Sequence, residues 1–286
     1  MTVILILIGM LLLLLGRPSA FVPTPLPVPN GYADLVHAGR FIRKETDDFN
    51  KMSQADLRQL VEGNSNALQI ARLGLGKKIQ VPLTYAINFS TAHLPELIQL
   101  RSIAQGFTAE IKLAELEQRT NDAARSSLDT IRLGIECPRG GILIDGMIGI
   151  AIESMGTVQL KNFITGLDAK SCREIARELE VLDARRQTWE ELLNQENYWS
   201  RQTFTGLNYV VARLFMSGQT KATEAKAKKK FLQQEINNRN LLIELATRAY
   251  ELEKGRHPSS TRDLVPEYLK AIPQDPTTGT NLTYLP

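Results

Sequence analysis

Asp145 and Glu153 stand eight positions apart in the most apolar interior stretch of the chain, Gly140-Gly141-Ile142-Leu143-Ile144-Asp145-Gly146-Met147-Ile148-Gly149-Ile150-Ala151-Ile152-Glu153-Ser154-Met155-Gly156. Carboxylates in such surroundings are what general acid and base catalysis uses, because burial raises a carboxyl group toward neutral pH. The spacing weighs against a direct partnership: eight residues of helix place both on one face but hold their backbones about 12 Å apart. Asp145 and Glu153 are the candidate catalytic residues, and pairing with arginines inside a helical bundle is the competing role. A second membrane span over this stretch would cost about 2.5–3.5 kcal/mol for each carboxylate at mid-bilayer, which favours the central helix of a bundle.

The other reactive residue types are scattered. His37, His93 and His257 lie far apart, and none sits at a metal-ligand spacing, so no metal or cofactor is expected. The chain has no Gly-x-Ser-x-Gly, no His-Glu-x-x-His and no phosphate-cradling glycine loop. His257, beside Pro258, is placed to meet a helix C-terminal dipole. Cys137 and Cys172 invite a disulfide, but a straight helix over 142–164 carries the chain about 34 Å, far beyond the roughly 7 Å Cα separation a bridge tolerates. Lys221, Lys226, Lys228, Lys229 and Lys230 have no interleaved aromatic and read as a solvated helix face paired with glutamates. With 34 basic against 31 acidic residues and a net charge of +3, nothing argues for nucleic acid.

Helices must position these groups. After Gly31 almost every periodic segment is helical: about 32–42, Ser53 to Val61, Ser65 to Gly74, 94–118, 122–136, 142–164, 169–183, 189–216 and 221–254. Ser53 with Asp56 and Thr188 with Glu191 resemble capping boxes, and Asp168 or Ser171 can cap the helix from 169. Short connections predict an all-α fold, a multi-helix bundle of mostly antiparallel helices with a short Pro-rich C-terminal tail. The helical domain spans 32–257, and a compact, turn-rich tail over 258–286 packs on the last long helix. Within that tail Ser260 and Asp263 can cap a short helix through Leu269, and 281–285 suits an extended strand.

At the other end, the apolar run Val3 to Leu15 gives way to Arg17-Pro18-Ser19-Ala20 and then to prolines at 23, 25, 27 and 29. Residues 1–20 read as a signal peptide or membrane anchor, since the run is shorter than the roughly 20 residues of a spanning helix. Residues 21–31 read as a Pro-rich linker, stiff and extended. The membrane is thus the expected partner through residues 1–20, with the body extracytoplasmic. Arg17, Arg40, Arg43 and Lys44 pull the other way by the positive-inside tendency.

The stretch Ala246-Thr247-Arg248-Ala249-Tyr250-Glu251-Leu252-Glu253-Lys254-Gly255-Arg256-His257-Pro258, with Leu264-Val265-Pro266, Ile272-Pro273-Gln274-Asp275-Pro276, Gly279 and Tyr284, resembles the C-terminal segment of type II secretion pseudopilins. The resemblance covers residues 246–284 alone. Charged residues precede it where the prepilin segment would be apolar, Lys112, Glu115 and Glu117 follow the prepilin-like Gly106-Phe107-Thr108-Ala109-Glu110, and no acidic cluster follows Asp275. It implies a similar tail and not a pseudopilin. The chain as a whole, with Pro29-Asn30-Gly31-Tyr32 opening its body, resembles uncharacterised membrane-anchored helical proteins of planctomycete-type bacteria, a likeness that implies no particular activity. These features together imply a non-enzymatic, membrane-tethered structural or protein-interaction protein of the bacterial envelope, with another envelope protein as partner. The alternative is an envelope hydrolase or transferase using scattered carboxylates.

Overall fold

A computed structural model describes residues 21–43, 48–204 and 207–283, with residues 207–220 described by backbone alone. The expected leader over 1–20 and the end of the tail, Tyr284 included, lie outside the described residues. Among the described residues the chain is all-α: α1 Gly31–Phe41, α2 Gln54–Leu75, α3 Phe89–Leu116, α4 Thr120–Glu136, α5 Leu143–Phe163, α6 Ala169–Ala184, α7 Trp189–Thr203 and α8 Leu207–Lys254. Strands are absent there, and one antiparallel bridge joins Gln274 to Asn281.

The caps form as the sequence suggests. Ser53 accepts a bond from Asp56 N, Asp168 from Ser171 N, and Thr188 and Glu191 cap each other reciprocally. Three boundaries differ from the sequence reading, each because a tertiary contact outweighs local preference. The two short helices expected over 53–74 are the single helix α2. Asn64, at the supposed break, is buried and spends its amide on the chain leaving α1, accepting from Arg43 N at 2.7 Å and donating to Arg43 O at 3.0 Å. Helix α3 begins at Phe89, before Pro95, because the Phe89 ring packs against Trp199. The helix expected over 189–216 stops at Thr203, where Phe204 turns extended and sets its ring edge-on to Trp199 at 6.2 Å, and α8 then runs without interruption through Ser217-Gly218.

Helices α4 and α5 form the antiparallel spine. Gly149 and Gly156 of α5 meet the α4 backbone so closely that a Cβ would stand 2.6 Å from Gly134 O and Ser127 O respectively, and a Cβ on Gly134 would run into the backbone of Glu153. The small residues of the apolar stretch thus admit a neighbouring helix at backbone distance. One core cluster joins this spine to α1, α2 and α3 through Leu35, Leu68, Ile103, Phe107, Leu133 and Ile152. A second joins it to α6, α8 and the tail through Ile131, Leu160, Leu179, Leu245, Tyr250 and Leu264. By length and composition Leu143–Gly166 is apolar enough to cross a membrane.

The tail folds onto α6 and α8. Gly255 takes a left-handed φ of +66° and ends α8. Of the short helix expected through Leu269, only a 3-10 turn at Thr261–Leu264 forms. Tyr268 is buried, donates from its hydroxyl to Glu253 Oε2 at 2.8 Å, and carries the Arg173 guanidinium 4.5 Å above its ring. Asp275 accepts from Thr277 N and Thr278 N in the turn that reverses the chain.

The glycine contact sets a stability prediction. Gly156→Val, which drives a branched side chain into Ser127 O and Ile131, is expected to cost about 1–3 kcal/mol or more. Chemical denaturation of the variant against wild type measures it.

Candidate functional site

The structure sends the two candidate carboxylates in opposite directions. Asp145 sits in the first turn of α5, where its Oδ2 accepts from Ile142 N at 2.8 Å. Glu196 of α7 accepts from Leu143 N at 2.8 Å. Together they cap the helix N-terminus with negative charge. The other Asp145 oxygen, Oδ1, lies 2.6 Å from His93 Nε2. His93 Nδ1 lies 2.8 Å from Glu96 Oε2, which also accepts from the Tyr32 hydroxyl at 3.1 Å. The imidazole is sandwiched by near-parallel rings, Phe89 at 4.8 Å and Tyr32 at 6.3 Å. Asp145 is 1% exposed and His93 3%.

A histidine with a carboxylate on each nitrogen is a double donor, which is the imidazolium form. Burial alone would pull its pKa down, but Asp145, by hydrogen bond and charge, with Glu96 behind it, carries His93 above its ordinary value. Burial, then the Glu96 charge, pushes the Tyr32 hydroxyl up, so it stays a donor. The chain Asp145, His93, Glu96, Tyr32 is therefore a run of satisfied charges that ties α1, α3 and α5 together. Both ring nitrogens of His93 are thus engaged by internal partners.

Glu153 is as deeply buried and is met by more donors. Arg186, just past α6, engages it with both terminal nitrogens, Nη1 to Oε2 at 2.9 Å and Nη2 to Oε1. Asn238 Nδ2 of α8 also donates to Oε1. Thr157 Oγ1 donates to Asn238 Oδ1 at 2.6 Å and accepts from Gln234 Nε2 at 2.9 Å. Asp183 bridges outward to Arg239 at 2.9 Å. Burial raises the Glu153 carboxyl above its usual range against the Arg186 charge. Burial also acts against the Arg186 charge, but Glu153, Asp183 and Glu235 more than offset it. The result is a closed polar seam between α5, α6 and α8.

The remaining candidates fall into bland roles. His257 is exposed and pairs with Glu251 at 2.6 Å beside the α8 C-terminus, and His37 stacks edge-on against Phe41. Cys137 and Cys172 are buried free thiols in separate core clusters. Burial raises Cys137 well above the usual thiol range and Cys172 to about 11, so neither offers a thiolate. The lysines at 221, 226, 228, 229 and 230 are exposed, and Lys228 reaches Glu190 at 3.4 Å. Among the described residues no group of three His, Cys, Asp or Glu side chains is placed to hold a metal.

Two surface clefts bear on ligands. One, of about 570 Å³, is lined by arginines that are already matched: Arg72 with Glu110 and Asp129, Arg119 with Asp122, Arg125 with Glu174 and Arg132 with Glu178. The other, of about 430 Å³, lies among Asn30, Tyr32, His37, Arg40, Pro82 and Glu96. Glu96, one-third exposed, is where the Asp145 chain reaches it. Neither Asp145 nor Glu153 lines either cleft.

Sequence reasoning missed His93, Glu96 and Tyr32 as partners of Asp145, and Arg186 and Asn238 as partners of Glu153. The one local signal was His93-x-x-Glu96, a same-face spacing that becomes visible only once α3 is known to start at Phe89. The fold and site define an all-α bundle whose internal carboxylates serve as buried ties. No family model, curated protein or solved structure matches the chain.

Two measurements check these roles. Because the folded state raises the His93 pKa, its stabilising contribution is complete below about pH 6.5, the unfolded value. It fades as pH rises through the elevated value. His93→Gln is therefore expected to lower the melting temperature most at pH 6 and least at pH 9. For the second tie, Arg186→Met leaves Glu153 buried without its counter-charge and is expected to cost about 3–5 kcal/mol. Adding Glu153→Leu should recover part of that loss in a double-mutant cycle by denaturant unfolding.

Proposed function

We propose that the chain is a membrane-tethered, non-enzymatic structural or protein-interaction protein of the bacterial envelope, held through residues 1–20 with its helical body outside the cytoplasm. The observation that carries this reading is the sealing of Asp145 and Glu153. Both candidate acids are about 1% exposed and saturated by internal partners, so neither meets a substrate. Buried charges of this kind specify one packing of the helices and do no chemistry. The apolar run Val3 to Leu15 supports the tether, and the tail's likeness to a secretion-system segment supports an envelope setting.

One observation favours the alternative, a hydrolase or transferase. Glu96 opens on a cleft of about 430 Å³ with His93 and Asp145 behind it, an arrangement that holds a carboxylate rigidly where a substrate has room. In that reading Glu96 is the reacting acid, Asp145 positions it through His93, and Glu153 takes no part.

Membrane fractionation with external protease tests the first reading. The full chain is expected in the membrane fraction and cleaved from outside, and a chain lacking residues 1–20 is expected to be soluble. A body protected inside the cell removes the envelope assignment. Turnover in a broad hydrolase screen that is lost on Glu96→Gln would establish the alternative.

A further inference from the structure

The proline-rich segment is fastened to the body at both of its ends and at Thr24. Its first described residue, Phe21, sets its ring edge-on to Tyr198 at 5.7 Å, and Tyr85 does the same from the other chain segment at 5.9 Å. Thr24 O accepts from Gln80 Nε2 at 2.6 Å. Asn30 and Gln80 exchange two further bonds, Asn30 Nδ2 to Gln80 O at 2.7 Å and Gln80 N to Asn30 Oδ1 at 3.1 Å. Gly31 N donates to Lys78 O at 2.9 Å. A free extended segment of ten residues would add about 30 Å of reach, but this one runs along the body and adds none.

Only five residues, Gly16 to Ala20, and hence six residue-to-residue steps then separate Leu15, the end of the apolar run, from Phe21 on the body surface. They span at most about 20 Å, of which the headgroup layer takes about 5–7 Å. A body tied this closely lies against the bilayer. The surface around the tie has the composition for it: the two adjoining stretches 21–30 and 79–88 contain no charged residue in twenty positions. They expose Val22 at 81%, Leu26 at 50%, Val28 at 97%, Tyr85 at 44% and Ile87 at 72%. Exposed aliphatic side chains beside interfacial tyrosines are the pattern of a surface seated in the headgroup region, and isolated apolar residues elsewhere on the molecule lack such an uncharged surround.

We propose that the face formed by residues 21–28 with Tyr85 and Ile87 rests on the lipid bilayer that holds residues 3–15. The inference builds on the tethered reading and adds to it a fixed seat, so that the body has one orientation on the membrane and presents the α6, α8 and tail end away from it. From Phe231, which packs on Trp189 at the opposite end of α7 from Tyr198, α8 carries the chain a further 32 Å or so to Leu252.

The test uses the full chain in vesicles of phosphatidylcholine and phosphatidylglycerol, with an environment-sensitive fluorophore on a single introduced thiol at Val28→Cys, Ile87→Cys or Leu252→Cys. Cys137 and Cys172 are 1% and 0% exposed, so the native chain serves as the unlabelled blank. Nitroxide-bearing lipid is expected to quench the labels at 28 and 87 by about twofold or more, with little effect at 252, given that interfacial side chains sit within the headgroup layer. If the chain floats with the vesicles and none of the three labels is quenched, the seat is overturned and the tether stands. If it fails to float, the tether itself falls, and the seat with it.

Discussion

Helix α5 carries a conflict that the rest of the fold resolves. It is the most apolar helix of the body, yet it holds Asp145 and Glu153 at 1% exposure, and a carboxylate cannot be buried without donors to meet it. Each acid therefore recruits a different half of the molecule. Asp145 draws in His93, Glu96 and Tyr32 from α3 and α1, and Glu153 draws in Arg186 and Asn238 from the end of α6 and from α8. The glycine-lined contact with α4 completes the arrangement by bringing the two backbones together on the same side of α5, with Gly134 against the backbone of Glu153.

Hydrophobic burial supplies most of the driving force for such a bundle, but it is indifferent to helix register. Away from a close contact such as the glycine seam, an apolar helix slides or rotates by a turn at lower cost. A bidentate arginine and a histidine gripped from both sides do not permit that, since any shift strands a charge in the core. The same saturation that makes the ties specific leaves their polar atoms occupied: His93 has a carboxylate on each ring nitrogen, Glu153 lines neither cleft, and burial pushes both thiols up. Glu96, one-third exposed, is the carboxylate of the Asp145 chain that reaches a cleft.

The N-terminal segment shows the same economy at the surface. Its prolines supply an extended backbone without donors of their own, so its carbonyls and the Asn30 side chain make the attachments, and Gln80 is the residue that receives it. What composition presents as a spacer is a strap, and the apolar surface it shares with residues 79–88 gives the body a side.

Much was legible without coordinates. Hydrophobic periodicity and the caps at Ser53, Asp168 and Thr188 act within a few residues, so the all-α class and the central helix over 142–164 follow from sequence alone. The sequence also marked Asp145 and Glu153 as needing partners. Which partners they found lay beyond it, because His93 is 52 residues from Asp145, Arg186 is 33 from Glu153 and Asn238 is 85, and no local pattern encodes such pairings. Tertiary contacts likewise kept α2 whole through Asn64, ended α7 at Thr203 and laid the proline segment on the body. In each case a long-range bond or ring contact contributed more than the tenths of a kcal/mol by which neighbouring residues bias the backbone.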